Sequence, residues 1–259
     1  MYENRQRELK NSRKTASGER INVAADDAAG LAISEHFKAS IRSIAQAQRN
    51  NHDGISIVQV AEGSLHAISE SLIRLRELGV QAASDTVGNS ERHMIDYEVK
   101  QMDKEIDRIA RSAKWQGTRL LDGNSADFDF QVGVYNGSDE RITYQPSKND
   151  ATSKGLGISG LNFSTKYGAQ SSLKTLDNAI TKISSMRSDL GGLQSRLTYT
   201  VDNLTSYNEN ISASESRIRD TDLAKTTADL TKDDILMKAS TLTLAQANQN
   251  SSQALKLLG

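Results

Sequence analysis

Histidines and closely spaced carboxylates are the side chains of this chain best suited to act as metal ligands or as general acids and bases. The histidines lie far apart in the sequence: His36, His52, His66 and His93. Carboxylates are paired at Asp127/Asp129 and Asp220/Asp222, without a nucleophile or base beside them. Cysteine is absent, which excludes disulfides and thiolate chemistry, and no phosphate-binding, dinucleotide or nucleophile-elbow motif is present. We therefore predict that the protein is not an enzyme and holds no metal or cofactor.

A further carboxylate pair, Asp26-Asp27, lies in the segment ASGERINVAADDAAGLAIS at residues 16–34. Most residues of this segment are small, which lets other backbones approach closely, and a charge among apolar neighbours needs a partner. We predict a packed junction in which Arg20, or an arginine of a neighbouring subunit, pairs with these carboxylates. The alternative is a flexible loop that ends in an aspartate N-cap.

Apolar residues recur at alternating spacings of three and four between residues 35 and 84, and again between residues 90 and 112. This pattern predicts long helices that pack side by side as an antiparallel hairpin. Asp53-Gly54 predicts a kink or a polar layer in the first helix, and Ser90 is a predicted N-cap of the second. The seam of the first helix comprises Ile41, Ile44, Ile55, Val58, Ala61, Leu65, Ile68, Leu72, Leu75 and Ala82.

The last third of the chain carries a strict seven-residue repeat of aliphatic residues: Leu176, Ile183, Leu190, Leu197, Leu204, Ile211 and Ile218. Such a repeat predicts a long helix packed lengthwise against others. A second series follows in a shifted register: Leu223, Leu230, Met237, Leu244 and Leu258. The shift predicts a joint at Asp220–Asp222 between two helical units. No obvious segment of the chain covers the second series, which is therefore a candidate subunit interface.

Residues 117–168 differ from the helical remainder because they contain many glycines and the only proline. Alternating apolar and polar residues at 128–134 predict a strand, Asn136-Gly137 a hairpin turn, and residues 142–144 the returning strand. We predict one small β excursion here. Residues 1–15 offer no apolar face, and we predict that they are weakly ordered without a partner.

The composition favours long helices with one buried stripe over a broad globular core. Of 259 residues, 36% are hydrophobic and 5% aromatic, and 32 basic residues balance 33 acidic ones. The charges are mixed, without the basic stripe of a nucleic-acid-binding protein, and no apolar run is long enough for a membrane span or a secretory signal. We predict a mainly α fold, a long antiparallel helical bundle or coiled coil with one small β-hairpin excursion, and neither a nucleic-acid partner nor membrane insertion.

Several motifs, in this order along the chain, resemble the bacterial flagellin family. ASGERINVAADDAAGLAIS is similar to a hallmark of that family's N-terminal region, and NNHDGISIVQVAEGSL, LRELGVQAAS, EIDRIA and WQGTRLLDG follow in the family's order. LGGLQSRL, ENISASESRIRDTDLAK and LAQANQ resemble its C-terminal signature. The resemblance covers residues 16–122 and 168–259.

The resemblance implies three regions and a structural role. The regions are residues 1–34, an inner-helix remnant and spoke; residues 35–219, a core helical bundle with the excursion at 117–168; and residues 220–259, a C-terminal inner coiled-coil helix. Copies would polymerise, alone and with other flagellins, into the extracellular flagellar filament after type III export without a cleaved signal peptide. Family members usually carry a further helical stretch before the position of Met1, so a shortened inner helix is implied.

The same resemblance implies further partners. These are a secretion chaperone at the C-terminal helix, filament cap proteins and hook-junction proteins. Some flagellins are also recognised by an animal innate immune receptor, through residues that match Arg74, Leu78 and Glu98 here. The alternatives are a hook–filament junction protein, a minor flagellin that does not assemble, and an enzyme with its active site in the excursion.

Overall fold

The computed structural model describes the backbone of residues 2–257 and the side chains of residues 2–250. This part of the chain is mainly helical, as predicted. Its helices are α1 (Tyr2–Ser17), α2 (Ala28–Ala82), α3 (Asn89–Ser112), α4 (Ser153–Leu156), α5 (Lys166–Arg219) and α6 (Leu223–Leu257). Its strands are β1 (Lys114–Trp115), β2 (Thr118–Arg119), β3 (Phe128–Gln131) and β4 (Arg141–Tyr144). A 3-10 turn spans Pro146–Lys148.

The chain forms two compact units. One unit consists of the chain up to Ser43 and from Tyr207 onward, and the other is Ile44–Ser206. These limits fall inside α2 and α5, whereas the regions that the sequence suggests are divided at residues 34/35 and 219/220. The joint expected at Asp220–Asp222 coincides with the break between α5 and α6.

Helices α2 and α5 run antiparallel in the unit Ile44–Ser206. Gln48 of α2 donates a hydrogen bond to Thr205 of α5. Arg76, further along α2, forms an ion pair with Asp177, which lies earlier in α5, at 2.7 Å. Helix α3 and the β excursion complete one hydrophobic core with these two helices.

The aliphatic seams are buried over most of their length, as their spacing predicts. In α2 every seam position from Val58 to Ala82 is buried. In α5 every position of the seven-residue series from Leu176 to Ile211 is buried, and Ile218 is half-buried. A seven-residue period keeps these side chains on one face of a helix, so burial of that face fixes how the helix is rotated.

Helix α2 passes through Asp53-Gly54 without interruption. A β-carbon at Gly54 would lie 3.3 Å from Cγ of Phe130. Glycine thus permits a close approach of the aromatic ring to the helix. The predicted polar layer is present: Asn51 is fully buried, and its Nδ2 donates to the carbonyl of Val132 at 3.3 Å.

The turn between α2 and α3 is organised by Arg92. Its guanidinium donates to the carbonyls of Ala82 at 2.8 Å and Ser84 at 2.7 Å, groups that the end of a helix leaves unpaired. The predicted N-cap Ser90 is wrong, because α3 begins at Asn89 and Gly88 occupies the N-cap position. Arg92 belongs to no apolar pattern, so the sequence gives no signal of its role.

Two antiparallel hairpins are present where one was predicted, and the first of them begins just before the excursion, at Lys114. Strands β1 and β2 are joined through Gln116-Gly117, both at positive φ. Strands β3 and β4 pair as expected, from Phe128 opposite Tyr144 to Gln131 opposite Arg141. The connection between them is residues 132–140, so Asn136-Gly137 lies within a long loop and does not form the turn by itself.

In the unit formed by the chain up to Ser43 and from Tyr207 onward, helix α1 lies against α6. The segment that was expected to be weakly ordered without a partner forms a helix from Tyr2 onward that contacts α6, and no residue of α1 is buried. Past the end of α1, the Thr221 N–H donates to the carbonyl of Gly18 at 2.9 Å, and the Arg20 N–H donates to that of Arg219 at 2.6 Å. Backbone hydrogen bonds therefore join the residues that follow α1 to the junction of α5 and α6.

Candidate functional site

Residues 18–27 connect α1 to α2, and Asp27 ends this connection. Its Oδ1 accepts a hydrogen bond from the Gly30 N–H at 2.9 Å, and its carbonyl accepts from Leu31 at 3.0 Å. Asp27 is thus the N-cap of α2. Within one chain this segment therefore matches the alternative given above, a loop that ends in an aspartate N-cap.

Within one chain Asp26 pairs with Lys10 of α1 and not with Arg20, the first of the two predicted partners. The Lys10 Nζ lies 2.8 Å from Oδ1 of Asp26, and Oδ2 accepts from the backbone N–H groups of Asn22 and Val23 at 3.3 and 3.4 Å. The hydrogen bond from Lys10 holds the pKa of the Asp26 carboxyl below its usual range. This carboxylate therefore fastens the loop to α1.

Arg219, at the end of α5, joins two further carboxylates. Its guanidinium lies 3.0 Å from Glu19 and 2.6 Å from Glu35, and only 11% of its side chain is exposed. The hydrogen bond from Arg219 lowers the pKa of Glu35. Arg20 donates nearby to the carbonyl of Ile218 at 2.7 Å. The sequence did not reveal these links, because the partners are distant along the chain.

Most small residues of this segment are exposed in the single chain. Burial is confined to Ile21, Gly30 and Ser34. A β-carbon at Gly30 would lie 2.8 Å from Cδ1 of Ile21, so a larger residue would displace that side chain. The exposed small residues are Ala24, Ala25, Ala28 and Ala29. The predicted packed junction is therefore wrong within one chain, and the alanines instead form a surface.

The α1 side of the seam between α1 and α6 is polar. The half-buried residues of α1 that share one face are Asn4, Glu8, Asn11 and Thr15. The Asn11 Nδ2 donates to Oδ2 of Asp233 at 2.8 Å, and Asn4 donates to Ser240 at 3.5 Å. Asp233 is only 7% exposed. A polar pair in such a seam fixes the register of the two helices.

Helix α1 covers some positions of the second aliphatic series and leaves others exposed. Leu230 and Met237 share the helix face of Asp233 and are half-buried, so the expectation that nothing in the chain covers this series is wrong at these positions. Leu223 and Leu244 stay exposed. Leu258 lies outside the described residues.

Further apolar side chains project from α6 in other directions. Ile235 is 61% exposed, and Leu242, seven residues later on the same face, is 72% exposed. Leu236 is exposed on yet another face. A helix with apolar side chains on all sides is typical of a helix that is buried on all sides, whereas these side chains of α6 are exposed in the single chain.

The residues matched to the immune-receptor contacts are divided between surface and core. Arg74 and Glu98 are exposed and lie 3.3 Å apart across α2 and α3. Leu78 is 2% exposed and belongs to the hydrophobic core. Of the three matched residues, Leu78 is therefore the one that is not accessible in the single chain.

The other candidates for chemistry stay apart or make local contacts. Asp129 accepts from Thr143, Asp127 accepts from Gln145, and Asp222 accepts from the Lys225 N–H at the start of α6. The four histidines are exposed. In the described part of the chain, no three histidine or carboxylate residues could together hold a metal ion. None of its helices is both long and apolar enough to cross a membrane.

Comparisons with known proteins agree in family and fold. Residues 1–126 match the family model of the bacterial flagellin N-terminal helical region, and residues 173–258 match that of the C-terminal helical region. A flagellin of Halalkalibacterium halodurans is 40% identical over 245 residues, which are 95% of this chain and 89% of that relative. The flagellar filament 33 kDa core protein of Treponema phagedenis is 41% identical over 263 residues, which are 96% of this chain and 91% of that relative. The crystal structure of Bacillus cereus flagellin matches with a TM-score of 0.54 at 30% identity, covering 64% of this chain and 94% of that one.

Proposed function

Because this chain belongs to the bacterial flagellin family, we propose that its helix α6 is enclosed by neighbouring copies when the chain polymerises. The protein is a structural subunit of the flagellar filament. The observation that carries the proposal is the exposure of Ile235 and Leu242 on one face of α6 and of Leu236 on another. Burying one such side chain contributes about 1.5–3 kcal/mol, so enclosing all of them favours assembly strongly.

The loop before α2 supplies a second contact in this proposal. The exposed alanines between Ala24 and Ala29 let a neighbouring backbone approach closely. The Arg20 and Asp27 side chains are exposed beside them, where they can pair with charges of another copy. Asp26 is paired with Lys10 of its own chain, so we assign it to orienting the loop.

Polymerisation of purified chains tests the proposal. Wild-type protein, seeded with filament fragments under salting-out conditions, is expected to form filaments visible by electron microscopy. Leu242→Asp places a charge on an exposed position, so the chain should fold but fail to assemble. Leu242→Met keeps the position apolar and is the matched control.

Two outcomes count against the proposal. Wild-type protein that stays monomeric across salt and seeding conditions would identify a minor flagellin that does not assemble. If Leu242→Asp and Leu242→Met polymerise equally well, α6 is not part of the interface. Circular dichroism of both variants before seeding shows whether each monomer is folded.

The same exposed face supports a chaperone partner before assembly. An exposed apolar helix surface promotes aggregation in the cell, so we propose that a secretion chaperone covers α6 until export. Cap and hook-junction proteins bind the ends of the filament in this proposal. Export occurs without cleavage of a signal peptide, and N-terminal sequencing of the chain recovered from filaments checks this. We assign no catalytic activity to the protein.

An animal innate immune receptor would meet Arg74 and Glu98, since both are exposed on adjoining helices. Leu78 cannot contribute directly while it is buried. Arg74→Ala should weaken receptor signalling by purified protein if this face is recognised. An unchanged dose response would show that the receptor does not recognise this face.

A further inference from the structure

Asn136 and Gly137 lie in the loop between β3 and β4 and form the only Asn-Gly dipeptide of the chain. The Asn136 side chain is exposed. We propose that Asn136 is a site of non-enzymatic modification, at which the side-chain amide is lost through a cyclic imide formed with the backbone nitrogen of Gly137.

The reaction needs only water. The Gly137 nitrogen gives up its proton to solvent base and bonds to Cγ of Asn136, while the bond from Cγ to the side-chain nitrogen breaks and ammonia leaves after taking a proton from solvent. This closes a five-membered imide ring. Water then adds to either ring carbonyl and opens the ring, leaving aspartate or isoaspartate at position 136. One ammonia leaves, one water enters, and nothing is oxidised or reduced.

The attacking nitrogen is unhindered. Gly137 has no side chain to block the approach to Cγ. Among the hydrogen bonds of the described residues, none is donated by the Gly137 N–H, whereas its carbonyl accepts from Glu140 at 3.3 Å. The nitrogen can therefore turn towards the side chain without breaking a hydrogen bond of the fold.

The amide under attack is polarised by Arg141. Its Nη2 donates to Oδ1 of Asn136 at 2.9 Å. A guanidinium stays charged at any working pH, and its hydrogen bond draws electron density from the carbonyl and stabilises the oxyanion that forms during attack. The same guanidinium then faces the new carboxylate, so the loop keeps this contact after the change.

Asn162 provides a matched comparison inside the same chain. The backbone nitrogen that follows it belongs to Phe163 and donates to Oδ1 of Asp96 at 2.8 Å. That nitrogen is held by a buried carboxylate and precedes a bulky side chain, so Asn162 should keep its amide under conditions in which Asn136 loses it.

The test uses the purified full chain in mildly alkaline ¹⁸O-labelled water, followed by peptide mass spectrometry. The peptide with residue 136 should gain one labelled oxygen in place of its side-chain nitrogen and yield both aspartate and isoaspartate, while the peptide with Asn162 stays unlabelled. No label at residue 136, or equal labelling at both asparagines, overturns the proposal.

Variants test the route. Asn136→Gln should abolish the reaction at this site, because the ring would need an additional atom. Gly137→Ala should slow it severalfold without disturbing the fold, since a β-carbon there would meet no atom closer than 3.7 Å and φ is not positive. Arg141→Gln should also slow it severalfold. A rate unchanged by Gly137→Ala contradicts the imide route, and one unchanged by Arg141→Gln contradicts activation by the guanidinium; circular dichroism confirms that each variant is folded.

Discussion

Asn11 of α1 donates a hydrogen bond to the nearly buried carboxylate of Asp233 in α6, with 2.8 Å between Nδ2 and Oδ2. A slip of either helix by one residue would turn one partner away from the seam. Since the half-buried face of α1 is largely polar, this hydrogen bond specifies which residues of the two helices meet.

Replacing Asn11 should loosen α1. Asn11→Leu leaves the Asp233 carboxylate without this donor, and an unsatisfied buried polar group costs about 1–3 kcal/mol. Hydrogen exchange of the α1 amides should therefore become faster. Ser12→Ala, at the exposed neighbouring position, is the control and should leave exchange unchanged.

A paired variant separates the hydrogen bond from simple packing. Asn11→Leu with Asp233→Leu removes both polar groups, and an apolar pair should restore most of the protection. If the double variant exchanges as fast as Asn11→Leu alone, the unpaired carboxylate is not the cause of the loss.

Acid should release the loop at residues 18–27. Because the Lys10 hydrogen bond lowers the folded-state pKa of Asp26, the ionised carboxylate stabilises the fold above its unfolded value of about 3.9. This stabilisation is lost as the pH falls through the lower, folded value. The amides of Asn22 and Val23, which donate to Asp26, should then exchange faster, after correction for intrinsic rates.

Asp26→Asn is the reference for this pH effect. It removes the titrating group, so its amides at Asn22 and Val23 should exchange faster at neutral pH and show no further step in acid. A step that persists in the variant would assign the effect to another carboxylate, such as Glu35, whose pKa Arg219 lowers.

Two glycines of α2 should respond oppositely to alanine. A β-carbon at Gly63 meets no atom within 4 Å, so Gly63→Ala should stabilise the helix by about 0.5–1 kcal/mol. At Gly54 the same atom lies 3.3 Å from Phe130, and crowding should cancel or reverse the gain. Thermal unfolding of both variants measures the difference. Equal stabilisation would show that the Phe130 ring moves aside without a cost in free energy.

Leu197→Ala should destabilise the unit Ile44–Ser206 by about 2–5 kcal/mol. Leu197 is fully buried in the middle of the seven-residue series, and its removal leaves a cavity. Thr198→Ala, at the exposed next position, should change the unfolding transition little. A melt unaltered by Leu197→Ala would mean that this series is not the core.

Periodicity alone determined the long helices and their buried faces. The repeat from Leu176 to Ile211 and the seam from Val58 to Ala82 are local patterns, and an amphipathic helix can bury only the face on which its apolar residues recur. The break at Asp220–Asp222 was equally visible, because the register shifts there. These features depend on neighbours a few residues apart, which the sequence shows directly.

Only the tertiary structure decided which distant residues meet. The partners of Asp233, Asp26 and Arg219 are donors or carboxylates common along the chain, and spacing cannot select among them. The close approach of the Phe130 ring to Gly54 could not be read from the sequence either, because Phe130 lies far along the chain. The loop at Asn136-Gly137 likewise follows from the pairing of β3 with β4 and not from its own dipeptide. Such contacts arise when elements pack, because each choice of partner depends on where the whole chain has brought it.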